Sequence, residues 1–517
     1  MPVALPGAVL AQVRSSGVLG IDAYPVDVEV DVAMGLPSYQ VVGLPAGAVK
    51  EGGVRVRAAL AHVGLPLPPR RITVNLAPAD VRKDGAAFDL PIAIGILAAL
   101  DLVPRAALAG LMLLGELSLD GAIRRVSGSL PVALCARSLS TRALILPRSC
   151  AAEAAVVSEL EILGAATLLE VVAFLRGERP LDRAVMQPQP AQPRTVDLDE
   201  VRGLETARRA LEVAAAGSHN LLLMGPPGAG KSMLARCLPS ILPPLSHAEA
   251  IETTTIYSAA GKLDGASLLA ERPFRAPHHD VSLAGLIGGG GMPRPGEISL
   301  AHNGVLFLDE LLEFQRPVLE ALRQPLEERK VTIVRARAAV SYPAAFALIA
   351  AMNPCPCGHR GSERRTCICS GARIKRYLGR LSGPLLDRFD LHLDVPQIDY
   401  ATLRDDRVGE PSARVRERVM AARQVQSERF ASAPGCHSNA QLGGRQLREH
   451  CRLDARGELQ LERCAKRFGL SGRAVHRILR VARTIADLGQ SALVLAEHVA
   501  EAVALRALDR ELPEPPA

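Results

Sequence analysis

The spacing of apolar and polar positions changes character along the chain. Val26–Val32 (VDVEVDV) alternates strictly, which predicts a half-buried strand, and Ile72–Leu76 (ITVNL) predicts a second. Gly52–His62 and Leu90–Leu100 carry helical spacing, and Leu144–Leu146 resumes a strand. Residues 1–182 therefore predict one α/β domain. Arg183–Arg194 (RAVMQPQPAQPR) breaks the pattern and predicts a linker over 183–195. Beyond it, Glu205–Ala216 predicts a helix and Asn220–Met224 a strand, with further strands at Val305–Leu308 and Phe346–Ala350. Strand–helix alternation over 196–400 predicts a parallel sheet covered by helices on both faces. Lys330–Tyr342 (KVTIVRARAAVSY) reads as a hairpin turning at Arg335-Ala336-Arg337. Helical spacing then dominates 401–517, with a break near Ser432–Gly435 and a tail, Leu512–Ala517, expected to fray.

Composition narrows the class. A length of 517 residues fits about three domains, and 48% apolar with 22% charged residues excludes pervasive disorder. Aromatics are only 3%, so the cores must be aliphatic and a base-stacking platform is poorly supplied. Apolar runs reach about 11 residues, too short to cross a bilayer. Met1-Pro2-Val3 opens without a charged leader, and ten cysteines do not suit a secreted disulfide scaffold. The expectation is a cytoplasmic protein with reduced thiols and no membrane partner. The net charge of +7 is uneven: residues 1–180 hold 16 basic against 16 acidic side chains, whereas 330–390 hold eleven against three. That stretch is either a solvated basic face or a surface for a polyanion such as DNA.

The chemistry concentrates in the second unit. Gly225-Pro226-Pro227-Gly228-Ala229-Gly230-Lys231-Ser232 is G-x-x-x-x-G-K-S between an apolar strand and a helix. Such glycines let backbone N–H groups wrap phosphates at a helix N-terminus. Lys231 would reach the β and γ phosphates of ATP, and the Ser232 hydroxyl would ligate Mg²⁺. Val305–Leu308 ends in Asp309-Glu310. Asp309 would hold Mg²⁺, and Glu310 would act as general base on the attacking water. Asn353, at the end of another apolar strand, either orients that water or caps a turn.

Cys355-x-Cys357 and Cys367-x-Cys369 lie nine residues apart. Four thiols at that spacing suit a tetrahedral Zn²⁺, although C-x-C is tighter than the usual C-x-x-C; free or redox thiols are the alternative. His359 is a substitute ligand. The adjacent His278 and His279 would point apart on a strand or helix and are a poor metal pair. Gly288–Gly291 would form a flexible loop.

These motifs resemble the ComM/YifB family of magnesium-chelatase-like AAA+ ATPases. The resemblance rests on Gly203–Ser232, Phe274–Gly291, Gly296–Leu311, Asn353–Gly358 (NPCPCG) and Ser382–Asp390 (SGPLLDRFD). It implies a Lon-protease-like N-terminal domain (the ribosomal S5 domain 2-like fold), a central P-loop AAA+ domain and a C-terminal helical lid. It gives Asn353 the place of sensor 1, Arg388 that of an arginine finger serving the neighbouring subunit, and Arg473 that of sensor 2. A homo-oligomeric ring, with six subunits usual, follows from the finger. Asp280 and Leu204 depart from the family pattern, where Thr and Gln are common. Gly115–Val132 and Val81–Leu90 carry the Lon-like resemblance, but Ala87 stands where the nucleophilic Ser is expected and Val126–Val132 has no Lys. A Ser–Lys dyad needs both groups, so this domain is expected to be non-proteolytic. The implied activity is ATP-driven work on DNA, as helicase or branch migration motor in recombination and natural transformation. A chelatase motor for metal insertion into a tetrapyrrole and a non-catalytic adaptor are the rivals.

Overall fold

The computed structural model describes the chain except residues 1–8, 188–195, 264, 291–292, 336–337, 363–364, 400–408, 432–435 and 511–517. The break near Ser432–Gly435, the tail and the tip residues Ala336 and Arg337 therefore lie outside the described residues.

An eight-stranded mixed sheet organises the N-terminal part. Its order is Asp182–Arg183, Glu161–Ala165, Ala143–Pro147, Leu111–Leu113, Val9–Leu19, Asp22–Ala33, Arg71–Ala77, Ser38–Val42. Alternation in Asp22–Ala33 buries Val26, Val28, Val30 and Val32 against the helix Asp89–Ala99, whose eleven residues are all buried. The long strand Val9–Leu19 carried no strict alternation in the sequence. It forms because it pairs along its whole length with Asp22–Ala33. The expected linker starts too early. Arg183 pairs with Leu163, and the Ala184 N–H donates to the Ile162 carbonyl, so the sheet edge holds the chain beyond residue 182.

The central sheet has five parallel strands in the order Phe274–Arg275, Val305–Leu308, Ala347–Met352, Leu221–Met224, Leu391–Asp394. Its three inner strands are apolar and, half-buried Ala347 apart, buried, as the interior of a parallel sheet requires. Phe274–Arg275 is too short for a pattern and is legible only through its pairing with Val305 and Leu306. The predicted hairpin is present: Lys330–Arg335 pairs with Ala338–Pro343, and Arg335 faces Ala338 across the backbone. Its base is held by the N-terminal sheet. A Cβ on Gly20, at φ +71°, would lie 2.3 Å from Val340 Cγ1, and Leu19 and Ile21 join the core of Val340 and Tyr342. Gly288–Gly289 is not an open loop, because it pairs antiparallel with Arg294–Pro295.

The C-terminal helices dock on one particular edge of the central sheet. Arg477 donates to the Phe389 carbonyl at 3.1 Å, and Arg506 donates to the carbonyls of Phe389 and Asp390 at 3.2 and 2.7 Å. Asp390 sits beneath them, buried, with His219 Nδ1 at 3.4 Å and Arg477 at 3.9 Å. Burial alone would raise the Asp390 carboxyl; His219 and the two arginines Arg477 and Arg480 outweigh it and hold the group down to about 2, from an ordinary 3.8. A depressed acid contributes stability that is present above its unfolded pKa and is lost as pH falls towards the folded one. Asp390→Asn should therefore lower urea stability at pH 7, and its stability should decline less than that of wild type between pH 4 and about 2. Asp390→Ala, which takes the carboxylate from buried Arg477 and His219 and leaves them only neutral partners, should cost about 3–5 kcal/mol.

Candidate nucleotide site

In parallel strands every C-terminal end lies on one edge, and three sequence motifs meet there. Leu221–Met224 runs into the phosphate loop, Val305–Leu308 into Asp309-Glu310, and Ala347–Met352 into Asn353. Gly225 must lack a side chain, because a Cβ would stand 2.3 Å from the Val395 carbonyl oxygen. Gly228 and Gly230 take φ of +76° and +84°, which turns the loop into the helix Lys231–Ile241.

Lys231 is buried, and its Nζ donates to the carbonyls of Gly225 and Pro226 at 2.7 and 2.9 Å and to Asn353 Oδ1 at 3.2 Å. Burial lowers its ammonium pKa, while Asp309 and Glu310 work in the opposite direction. The ammonium thus rests on neutral oxygens at a helix N-terminus, an arrangement suited to receiving phosphate. Ser232 Oγ donates to Asp309 Oδ2 at 2.6 Å, which places a hydroxyl and a carboxylate together as hard oxygen ligands for Mg²⁺. Asp309 Oδ1 accepts from the Glu310 N–H at 3.0 Å, and Glu310 takes φ +52°, turning its exposed carboxylate out of the strand line. Leu204 is buried beside Gly230, so an apolar side chain closes the loop's flank at this family-variable position.

The expectation for the histidine pair is overturned. The Val281 N–H donates to the His278 carbonyl at 3.0 Å, so the pair opens a turn and lies in neither a strand nor a helix. Their ring centroids lie 4.1 Å from one another, and their ligand atoms gather with those of Asp280 within 4.8 Å. His279 Nδ1 stands 3.5 Å from Glu310 Oε2, a partnership with the expected general base that the sequence did not signal.

Arg388 and Arg473 are not at this edge. Arg388 precedes Leu391–Asp394, and its carbonyl accepts from Asn220 Nδ2 at 2.9 Å, just before Leu221–Met224 begins. Both arginines therefore sit at the N-terminal ends of the strands. A four-residue strand places that edge roughly 13 Å from the phosphate loop. Arg388 is ion-paired with Glu327, not with the neighbouring Asp387 or Asp390. Arg473 lies 3.6 Å from Asp387, at the same end. Arg388, Arg473, Arg477 and Arg480 line a cleft of about 1500 Å³ there.

The four cysteines converge. Cys355 Sγ lies 3.4 Å from Cys357 Sγ, and Cys367 Sγ lies 3.6 Å from each, with Cys369 in the same cluster. His359 is not part of it among the described residues. Backbone N–H groups of His359 and Ile368 hold the Cys357 thiol down to about 6.

Comparison with known proteins identifies the arrangement. Residues 197–403 match the family model described as magnesium chelatase, subunit ChlI, and residues 409–506 match its C-terminal counterpart. The chain is 47% identical to competence protein ComM of Haemophilus influenzae over 97% of its own length and 98% of the relative's. It is 45% identical to YifB of Escherichia coli over 97% and 98%. The chain belongs to the ComM/YifB family of magnesium-chelatase-like AAA+ ATPases. The family implies ATP and Mg²⁺, and the residues at the strand ends fit both. Lon protease 2 of Bacillus subtilis is 29% identical over 29% of the chain. Residues 28–150 also match a model described as subunit ChlI of Mg-chelatase. The N-terminal domain therefore does not separate this chain from a chelatase motor. Among the described residues no helix is long and apolar enough to cross a membrane.

Replacing Lys231 removes a charge-assisted contact of about 1.5–3 kcal/mol. Lys231→Ala should weaken equilibrium binding of a fluorescent ATP analogue by about 10–100-fold. Asn353→Ala should leave that binding within about threefold while slowing turnover, a split that binding titration and steady-state ATPase rates separate.

Proposed function

We propose that the protein is an ATP-driven ring motor that moves on DNA, acting as helicase or branch migration enzyme in homologous recombination and natural transformation. The observation that supports it most is the separation of Arg388 and Arg473 from the chain's own phosphate loop. Arginines of this kind have work only at a neighbour's nucleotide, so the functional unit is a closed ring, six subunits being the usual number. ComM carries the description of a competence protein, which fits DNA as the substrate.

Bound ATP and Mg²⁺ supply the phosphoryl group and the neutralisation of its charge. Lys231 and the loop N–H groups hold the phosphates, while Ser232 and Asp309 hold the metal. Glu310 takes the proton from the attacking water, and Asn353 orients that water. His279 holds the Glu310 carboxylate between turnovers. Arg388, released from Glu327 by the neighbouring subunit, and Arg473, released from Asp387, meet the charge that develops on the transferred group.

DNA contact falls to the basic side chains between 330 and 390. Arg360, Arg365, Arg373, Lys375 and Arg376 are exposed. The backbone of Arg335 pairs with that of Ala338 at the end of the two strands, while Arg337 and the side chain of Arg335 lie outside the described residues. Phosphate contacts, rather than base reading, would give the affinity. The full-length likeness to ComM favours this reading over the chelatase motor, and the intact set of Lys231, Ser232, Asp309 and Glu310 favours an active ATPase over an adaptor.

ATPase turnover with and without forked or three-stranded DNA tests the proposal. Wild type should be stimulated by DNA; unchanged turnover would overturn it. Glu310→Gln should slow turnover by about 10²–10⁴-fold while retaining ATP and DNA. The double variant Arg335→Ala, Arg337→Ala should keep its DNA-free turnover, lose DNA stimulation and flatten the salt dependence of binding by roughly one unit of slope per lost phosphate contact.

A further inference from the structure

The cysteine loop leaves the sheet immediately after Asn353 and folds back on the nucleotide pocket. The Gly358 N–H donates to the Cys355 carbonyl at 2.9 Å, closing a tight turn in which Gly358 takes φ +80°. That turn rests on the phosphate loop. A Cβ on Gly358 would stand 2.6 Å from Pro227 Cδ, 2.8 Å from Pro227 Cγ and 3.9 Å from the Asn353 carboxamide carbon. The far end of the loop returns in the helix Gly371–Leu378, whose Tyr377 packs against the core that contains Met352, the residue before Asn353. The loop is thus seated at both ends, on the phosphate loop through Gly358 and on the core beneath Asn353 through Tyr377.

The loop has little apolar material to hold this shape. Cys355 is buried, but Pro356, Arg360, Arg365, Thr366 and Ile368 are exposed. What joins its two halves is the four thiols. Their separations of 3.4 and 3.6 Å are far too long for disulfides, at about 2.05 Å. They come close to the roughly 3.8 Å edge of a tetrahedron with metal–sulfur bonds of about 2.3 Å.

We infer that Cys355, Cys357, Cys367 and Cys369 bind one zinc ion, and that the knot it closes is a wall of the nucleotide pocket. Without the metal, Gly358 and Tyr377 lose their common anchor, and the phosphate loop and Asn353 lose their support. Metal occupancy then sets nucleotide affinity, although no thiol touches the nucleotide. The second half of the inference rests on the nucleotide-site reading.

The test uses the full chain, purified without chelator. Elemental analysis should find about one zinc per chain, and none would overturn the site. Cys367→Ser with Cys369→Ser should lose the zinc and weaken binding of a fluorescent ATP analogue at least tenfold. Gly358→Ala should keep the zinc yet weaken binding similarly, since its Cβ displaces Pro227. Gly358→Ala also covers the case in which the double variant does not fold. Zinc present, with nucleotide affinity unchanged in Gly358→Ala and after chelation, would overturn the wall. Lys231→Ala should keep its zinc and lose nucleotide; if it bound nucleotide like wild type, the fault would lie in the nucleotide-site reading instead.

Discussion

The polarity of the parallel sheet governs everything else in this molecule. Phosphate loop, Asp309, Glu310 and Asn353 all follow strands, and Arg388 precedes one. One strand length of buried, hydrogen-bonded backbone separates the two groups, and no side chain rotation bridges it. If the proposed function holds, a single chain presents two half-sites on opposite edges, and the parallel ladder that makes the core rigid also keeps them from meeting within one chain.

The remaining parts serve these two edges. Arg477 and Arg506 tie the C-terminal helices to the carbonyls of Phe389 and Asp390, which places Arg473 at the Arg388 edge rather than at the chain's own phosphate loop. The N-terminal domain meets the central domain at several places among the described residues, and the Gln187 N–H donates to Ser267 Oγ at one of them. Gly20 and its neighbours pack on the hairpin base, and Arg125 and Glu153 reach Leu263 and Ser258. At the other edge the cysteine loop presses on Pro227 and Asn353, so the pocket is supported from outside the sheet.

What the sequence disclosed depended on the range of the interaction. G-x-x-x-x-G-K-S and the apolar run before Asp309-Glu310 are local patterns with local chemistry, and the structure brings them together, with Ser232 and Asp309 in contact. The hairpin was legible for the same reason. Val9–Leu19 was not, because its strand character comes from its partner rather than from its own alternation. The facing of the histidine pair is not legible in the sequence, because it comes from a turn and not from a regular backbone; a turn allows two adjacent rings to face one side. Glu327, the partner of Arg388, lies 61 residues away along the chain, where no spacing rule reaches. The start of the linker was misplaced because its Pro- and Gln-rich composition masks a two-residue edge pairing that depends on Leu163.

The claim that catalysis needs two chains is tested most directly by mixing two inactive variants. Lys231→Ala disables the phosphate-loop edge and leaves the arginine edge intact; Arg388→Ala does the reverse. Each alone should show almost no ATP turnover. Mixed under conditions that allow subunit exchange, they should regain part of the wild-type rate, because some interfaces then pair an intact loop with an intact arginine. Recovery that peaks near an equal mixture would support the account. A mixture that stays inactive although exchange is shown by fluorescence transfer, or an Arg388→Ala chain that turns over ATP normally by itself, would contradict it.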